Sequence, residues 1–419
     1  MFLNKKNSIY LILTFSIFLG YFLNENSSGG GKIDAEILFP YINNFALDFK
    51  KGFSIFANNP ATIIHSPIFY IFVSFFLKIN NSLIFINLIY ILISSTLPYI
   101  FYLILKKKYN FNHDYLFYIS LIIFFSPYFR SSGIWLLGDN LSLIFFSLSI
   151  FYYVKTLNNQ AKIRNYFLCL LFLILCCYIR YYYSVFVIFY FYNFYQKLDK
   201  PYLFKLFLFC FFLSIPALIY FYYIFISYNF FDSISLYGKL NIYSNSLIIL
   251  SLFLFYLLPI ILTELDLIIK YVKNKYIYFL VIFFIFFSLY LIDFYNLYET
   301  IVFSPRGGGV FIKIFNQINL DTEILMTFVS FLSFIVLDYF FRNNRFQNYF
   351  LIIILIFSLP LFSFYQKYLD PLIFLIIFGL LQSETLKEIL LKKKINFKYF
   401  FGYYISFYIF SLIYYIDVK

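Results

Sequence analysis

Two carboxylates stand two residues apart, Asp34 and Glu36, in the stretch GGGKIDAEILFPYINNF at residues 29–45, within a chain of which only 12% is charged. On an extended backbone, side chains i and i+2 point the same way, so the pair would bind one acceptor hydroxyl or one divalent cation. On a helix they diverge by roughly 200°, and only one reaches a given site. The plainer alternative makes them N-terminal acids of a helix starting near Pro40, complementing its dipole.

Other candidates lie downstream. In IWLLGDNLSLIFF, Asp139 and Asn140 stand where a turn becomes a hydrophobic segment, a place that also suits an N-cap. Arg180, in CCYIRYYYSVFVIF, separates two apolar runs. A guanidinium there is costly unless it reaches the interface or an anion, and a phosphate matches its fork. Tyr181, Tyr182 and Tyr183 follow as interfacial aromatics able to flank a lipid chain or a sugar. Arg306 and Lys313 bracket three glycines in SPRGGGVFIK, whose amides can approach a phosphate, although a flexible loop explains them equally well. In FYQKYLDPLIF, Lys367 and Tyr368 precede Asp370, and Lys367 can serve either a phosphate or Asp370. His65, before Ser66 and Pro67, can titrate near neutral pH or simply hydrogen-bond a helix start.

The elements that must hold these residues are hydrophobic helices. With 63% hydrophobic residues, 66 Phe and 45 Tyr, the chain carries repeated apolar runs long enough to cross a ~30 Å hydrocarbon core. Spans are expected near residues 8–24, 82–105, 114–129, 139–155, 165–179, 181–195, 202–226, 246–263, 276–296, 324–341, 348–364, 370–382 and 397–416. The intervening PIFYIFVSFFLKI, residues 67–79, reaches only ~20 Å as a helix and is expected at the outer interface. Pro40 should open an amphipathic surface stretch with Ile42, Phe45, Phe49, Phe53 and Phe56 on one face.

The expected architecture is therefore all-α and polytopic, with about thirteen transmembrane helices, juxtamembrane helices in the first outer loop, and one membrane domain over residues 1–419. The basic, apolar N-terminus lacks a small-x-small cleavage site and reads as a retained helix. Cys169, Cys176, Cys177 and Cys210 lie in apolar runs without metal spacing and read as core thiols. The net charge of +13 is scattered between spans and does not form a stripe, which excludes nucleic acid and points to membrane orientation. With the N-terminus inside, Lys106–Lys108, Lys270/Lys273/Lys275, Arg342/Arg345 and Lys392–Lys394 all fall on the cytoplasmic side. Asp34, Glu36, Asp139, Arg180, Arg306 and Lys367 then share the outer face.

In this order, the D-x-E triplet, HSPIFYIFVSFFLK, SPYFRSSGIWLLGDNLSLIFFSLSIFYYVK and YQKYLDPL resemble polytopic glycosyltransferases of the GT-C fold, in the bacterial branch of the protein O-mannosyltransferases and the lipid A aminoarabinose transferase. The likeness is fullest over residues 1–195, which include the outer loop 25–66, and looser over 196–419. Ser66 replaces the first Pro of the branch's H-P-P motif, and the 419 residues include no large soluble outer domain. The resemblance implies a sugar moved from a polyprenyl-phosphate donor to a lipid or glycan acceptor, with inversion, at the outer face of a bacterial cytoplasmic membrane. It implies Asp34 as base, Arg180 with Lys367 or Arg306 at the leaving phosphate, and Glu36 and Asp139 positioning the acceptor. His65, Asn140, Tyr181, Tyr182 and Tyr368 would contact substrate or lipid. The resemblance fixes no cofactor, since some relatives use a metal and others do not; a divalent cation, magnesium or manganese, is an option at Asp34 and Glu36. An O-antigen or capsule polymerase and a lipid-linked glycan transporter remain as alternatives. The first class usually carries its large outer loop late in the chain, and the second predicts internal two-fold similarity and mid-span polar residues.

Overall fold

A computed structural model describes residues 5–58, 66–157, 162–227, 242–291, 307–318, 321–359 and 364–416. These are helical, without a named strand among the described residues. Five helices are long and apolar enough to cross a membrane, or seven if each of two bent pairs counts as one span. The chain divides into two compact units, residues 1–230 with 404–419, and residues 231–403.

In the first unit, α1 (Lys5–Phe22) runs to a short segment and then α2 (Gly31–Leu47), α3 (Phe49–Ala57) and α4 (Ile68–Ile79). The expectation of a helix starting near Pro40 is corrected here. Helix α2 begins at Gly31 and carries Pro40 in its interior, where the missing N–H removes one i→i−4 bond. Asp34 consequently lies in the first turn, where a carboxylate complements the dipole. Asp48 caps α3 by accepting from the Lys51 amide at 3.0 Å, and α3 folds back on α2. Gly52 permits that approach, since a Cβ there would meet the Phe45 backbone nitrogen at 2.8 Å.

Helices α2, α3 and α4 bury a common core with α5 (Leu83–Ser94), in which Ile42, Phe45, Phe56, Phe69, Tyr70, Val73 and Tyr90 interlock. The tilted rings of Phe56 and Tyr70 pack with centroids 4.9 Å apart, an aromatic contact that adds to the area buried. At 12 residues, α4 is too short to cross a bilayer. Helix α6 (Thr96–Tyr109) continues α5, so Leu83–Tyr109 forms a 27-residue apolar helix.

The expected span at 114–129 is broken. Helix α7 (His113–Ser120) passes through a 3₁₀ turn to Ser126, whose hydroxyl accepts from the Phe129 amide at 3.0 Å and starts α8 (Pro127–Ile134). Ser-Pro at an N-cap and N1 is a strong helix start. Every residue of α8 is buried, and the chain turns by 116° into α9 (Gly138–Thr156). Leu136, at φ 55°, makes the corner. Helix α10 (Ile163–Cys177) packs on α9 and ends just before Arg180; a 3₁₀ turn, α11 (Phe186–Tyr195) and α12 (Lys200–Ser227) follow. All four cysteines are free.

The second unit contains α13 (Ile242–Ile261), α14 (Leu265–Asn274), α15 (Tyr276–Leu291), α16 (Val310–Gln317), α17 (Thr322–Phe341), α18 (Arg345–Ser358) and α19 (Glu384–Leu391); α20 (Phe397–Ile416) ends in the first unit. Ser330 and Ser333 of α17 donate to the Leu247 and Leu250 carbonyls of α13 at 2.9 and 2.5 Å, the small-polar packing typical of membrane helices. The expected span at 370–382 is a short helix, Leu372–Phe374, running into a π-helical turn, Leu375–Leu380.

Candidate functional site

The segment between α1 and α2 is fastened before it reaches the carboxylates. Ser27 donates to the Pro127 carbonyl at 2.8 Å, and the Ser28 and Ser131 hydroxyls lie 2.6 Å apart. Ser411 of α20 donates to the Ser27 carbonyl at 2.7 Å. Gly29 has φ 74°, and a Cβ on it would strike the Tyr415 ring at 2.2 Å; at Gly31 a Cβ would meet the Ser131 hydroxyl, also at 2.2 Å. These glycines therefore serve close approach as well as a left-handed backbone.

Behind this segment lies a buried ion pair. Arg130 donates from Nε and Nη2 to Glu25 at 2.9 and 2.6 Å, from Nη1 to the Ser16 hydroxyl at 2.9 Å, and from Nη2 to the Ser16 carbonyl at 3.0 Å. Its guanidinium lies 4.8 Å from the Tyr408 ring centroid. Both side chains are only 6% exposed. A buried pair persists when its remaining donors are satisfied, and Ser16 does that. Neither Glu25 nor Arg130 stood out in sequence, because their partners are 105 residues apart.

Beyond this frame, Asp34 and Glu36 part company. Both sit on α2, so they project roughly 200° apart, and the shared-ligand geometry that needed an extended backbone is absent. The proposed metal pair therefore has no common site here, and the described residues contain no group of three or more His, Cys, Asp or Glu able to hold a metal. Glu36 faces a cavity of about 600 Å³ with apolar walls from Phe22, Leu38, Phe39, Leu83 and Ile84. Lys32, 5.8 Å from the Trp135 ring centroid, lines the same cavity. Trp135 donates to the Glu25 carbonyl at 2.9 Å, so the ion-pair segment and the cavity wall are linked. Lys32 and Trp135 were legible only as loop residues.

Asp34 belongs to a different group. Asp139, in the first turn of α9, accepts from Arg180 through both oxygens, from Nε at 2.8 Å and Nη2 at 3.0 Å. This is the bidentate fork that fixes a guanidinium in orientation as well as place. Nη1 takes no part in the pair, and the side chains retain 21% and 12% exposure. Burial alone would push the Arg180 pKa down; Asp139, Tyr182 and Tyr70 outweigh it, and the pKa is raised. Tyr70 of α4 lies within electrostatic reach of Arg180, Asp139 and Asp34 together, and burial pushes its hydroxyl up to about 12.

The remaining candidates are distributed as follows. Asn140 is 1% exposed, donates from Nδ2 to the Phe129 carbonyl at 2.9 Å, and gives its backbone amide to the Ser132 hydroxyl at 3.1 Å. These bonds lock the corner between α8 and α9. Tyr182 is buried beside Arg180, whereas Tyr181 is 47% exposed. In the second unit, Lys367 lies 5.4 and 5.9 Å from the Tyr365 and Tyr368 ring centroids, and Asp370 is buried. The Gly308 amide donates to the Phe364 carbonyl at 2.7 Å, so the glycine loop meets the Lys367 turn. His65 and Arg306 lie outside the described residues.

Searched against protein-family models, curated proteins and solved structures, the chain matches none.

Proposed function

We propose that this chain is a membrane glycosyltransferase of the GT-C type, moving a sugar from a polyprenyl-phosphate donor to a lipid or glycan acceptor at the outer membrane face, with inversion. The reading takes the chain as polytopic with the N-terminus cytoplasmic. The bidentate Asp139–Arg180 fork, which leaves the guanidinium Nη1 outside the pair, is the observation that carries it. It presents a guanidinium to the leaving phosphate, and Asp34, in the first turn of α2, is assigned as the carboxylate base, the two charges that an inverting transfer from a phosphate requires.

In this mechanism Asp34 takes the acceptor hydroxyl proton as the oxygen attacks the sugar carbon from the face opposite the phosphate. The C–O bond to the phosphate breaks, and the charge gathers on its oxygens. Arg180 meets that charge with Nη1, while Asp139 holds the guanidinium in orientation. Asp139 is thereby a positioning residue. Glu36 faces the apolar cavity instead, which suits the acceptor or the lipid chain.

Transfer of labelled sugar from polyprenyl-phosphate donors into membranes carrying each variant tests the assignment. Asp34→Asn should lower transfer by about 100-fold or more, the usual scale of a lost general base, while Glu36→Gln should retain most of it. Undiminished transfer in Asp34→Asn removes Asp34 as the base, and loss only in Glu36→Gln moves the chemistry to the cavity.

A further inference from the structure

Lys275 and Arg345 meet at the Tyr271 hydroxyl in the second unit, beside one carboxylate. Asp338 is fully buried and accepts from the Tyr349 hydroxyl at 2.7 Å, the Tyr271 hydroxyl at 2.6 Å and Arg345 Nη2 at 3.0 Å. Two of its three donors are uncharged. The Tyr271 hydroxyl in turn accepts from Arg345 Nη2 at 2.6 Å and Lys275 Nζ at 3.0 Å. Among the described residues no carboxylate lies within ion-pair distance of Lys275, and Arg345 Nε is buried without a hydrogen-bond partner. One negative charge therefore faces two positive ones, and an unsatisfied buried donor costs free energy until something accepts from it.

Both cations line one pocket of about 340 Å³, formed with Asn274, Tyr276, Ile277 and Tyr278 at the 90° corner between α14 and α15. The first amides of α15 open on the same corner and add donors. Around it, Tyr276 and Ile277 are 63% and 62% exposed. Helix α14 alternates exposed Leu267 and Ile269 with Lys270 and Lys273, the pattern of a helix lying in a bilayer interface. Tyrosine and lysine at such a depth face lipid headgroups.

We propose that this corner is a phosphate-binding site, occupied by the headgroup phosphate of an anionic lipid, with Lys275 and Arg345 as its cations. Asp338 and the two tyrosines hold Arg345 in place, and Lys275 supplies the uncompensated charge. The site is independent of the transfer chemistry assigned to the first unit.

The test uses the full chain purified in a neutral detergent, titrated with phosphatidylglycerol or phosphatidylcholine, with bound lipid counted by native mass spectrometry. Phosphatidylglycerol should bind the wild type about tenfold more tightly than phosphatidylcholine, a difference of about 1.4 kcal/mol. Lys275→Gln should abolish that preference, Lys275→Arg should keep it, and Lys270→Gln, on the preceding helix α14 and outside the pocket, should leave it unchanged. Lys275→Gln leaves the Asp338–Arg345 pair intact, so the variant folds where loss of Arg345 would orphan a buried carboxylate. Displacement by millimolar inorganic phosphate or glycerol phosphate supports the site with a soluble phosphate as its source; resistance supports the lipid. No preference in the wild type, or equal loss in Lys270→Gln and Lys275→Gln, overturns the proposal.

Discussion

At the scale of the residue, the Asp139–Arg180 fork is the feature from which most follows. Its two hydrogen bonds use the edge of a planar guanidinium, which an ammonium cannot reproduce. Arg180→Lys should therefore lose most transfer activity while folding, and Arg180→Ala should additionally destabilise the chain by about 3 kcal/mol, because Asp139 is left partly buried without its counter-charge. Thermal unfolding beside a transfer assay separates the effects; equal activity in Arg180→Lys and wild type would show that the fork is not needed. Arg180 was legible in the sequence because a lone guanidinium between apolar runs has a cost that demands a partner. Its partner was not, since 41 residues separate the two. Asn140 shows the converse: beside an acid it looked like a contact residue, and only its burial reveals that its amide holds the corner.

At the scale of the element, glycines decide how closely segments approach. Gly29→Ala should destabilise the protein by about 1 kcal/mol or more, since it puts a side chain into left-handed backbone and into the Tyr415 ring. Gly402→Ala, where nothing lies within 4 Å of the added methyl, should be neutral or slightly stabilising, because alanine favours a helix. Midpoints of thermal unfolding in detergent compare the two; an unaffected Gly29→Ala would mean the ring yields freely. Helix bounds followed hydrophobic length closely at Gly138–Thr156 and Phe397–Ile416. They failed around Pro127, where hydropathy runs on unbroken but Ser126 and Pro127 stop one helix and start another. Pro40 misled in the opposite sense: proline favours a helix start, yet the packing of α2 on α3 and α4 keeps it inside.

At the scale of the whole molecule, apolar composition and an all-helical fold agree, and five to seven helices have the length to cross a membrane. Orientation is a separate matter, read from where the lysines lie. In a background lacking the four native cysteines, Glu36→Cys should react with a membrane-impermeant maleimide in intact cells, whereas Lys107→Cys should react only after lysis. The reverse order would invert the chain and move the carboxylates to the cytoplasm.

The stitching of the first loop to the last helix has a consequence in time. Ser411 holds the Ser27 carbonyl across 384 residues of sequence, and Asn26 donates to the Tyr415 carbonyl at 3.2 Å. A ribosome makes the carboxylate-bearing segment long before its anchor. Asp34, on α2, therefore emerges long before the last contacts on the segment that precedes it can form, and that segment is fully fastened only once synthesis has passed residue 415, so a nascent chain stalled earlier would be inserted but not yet competent.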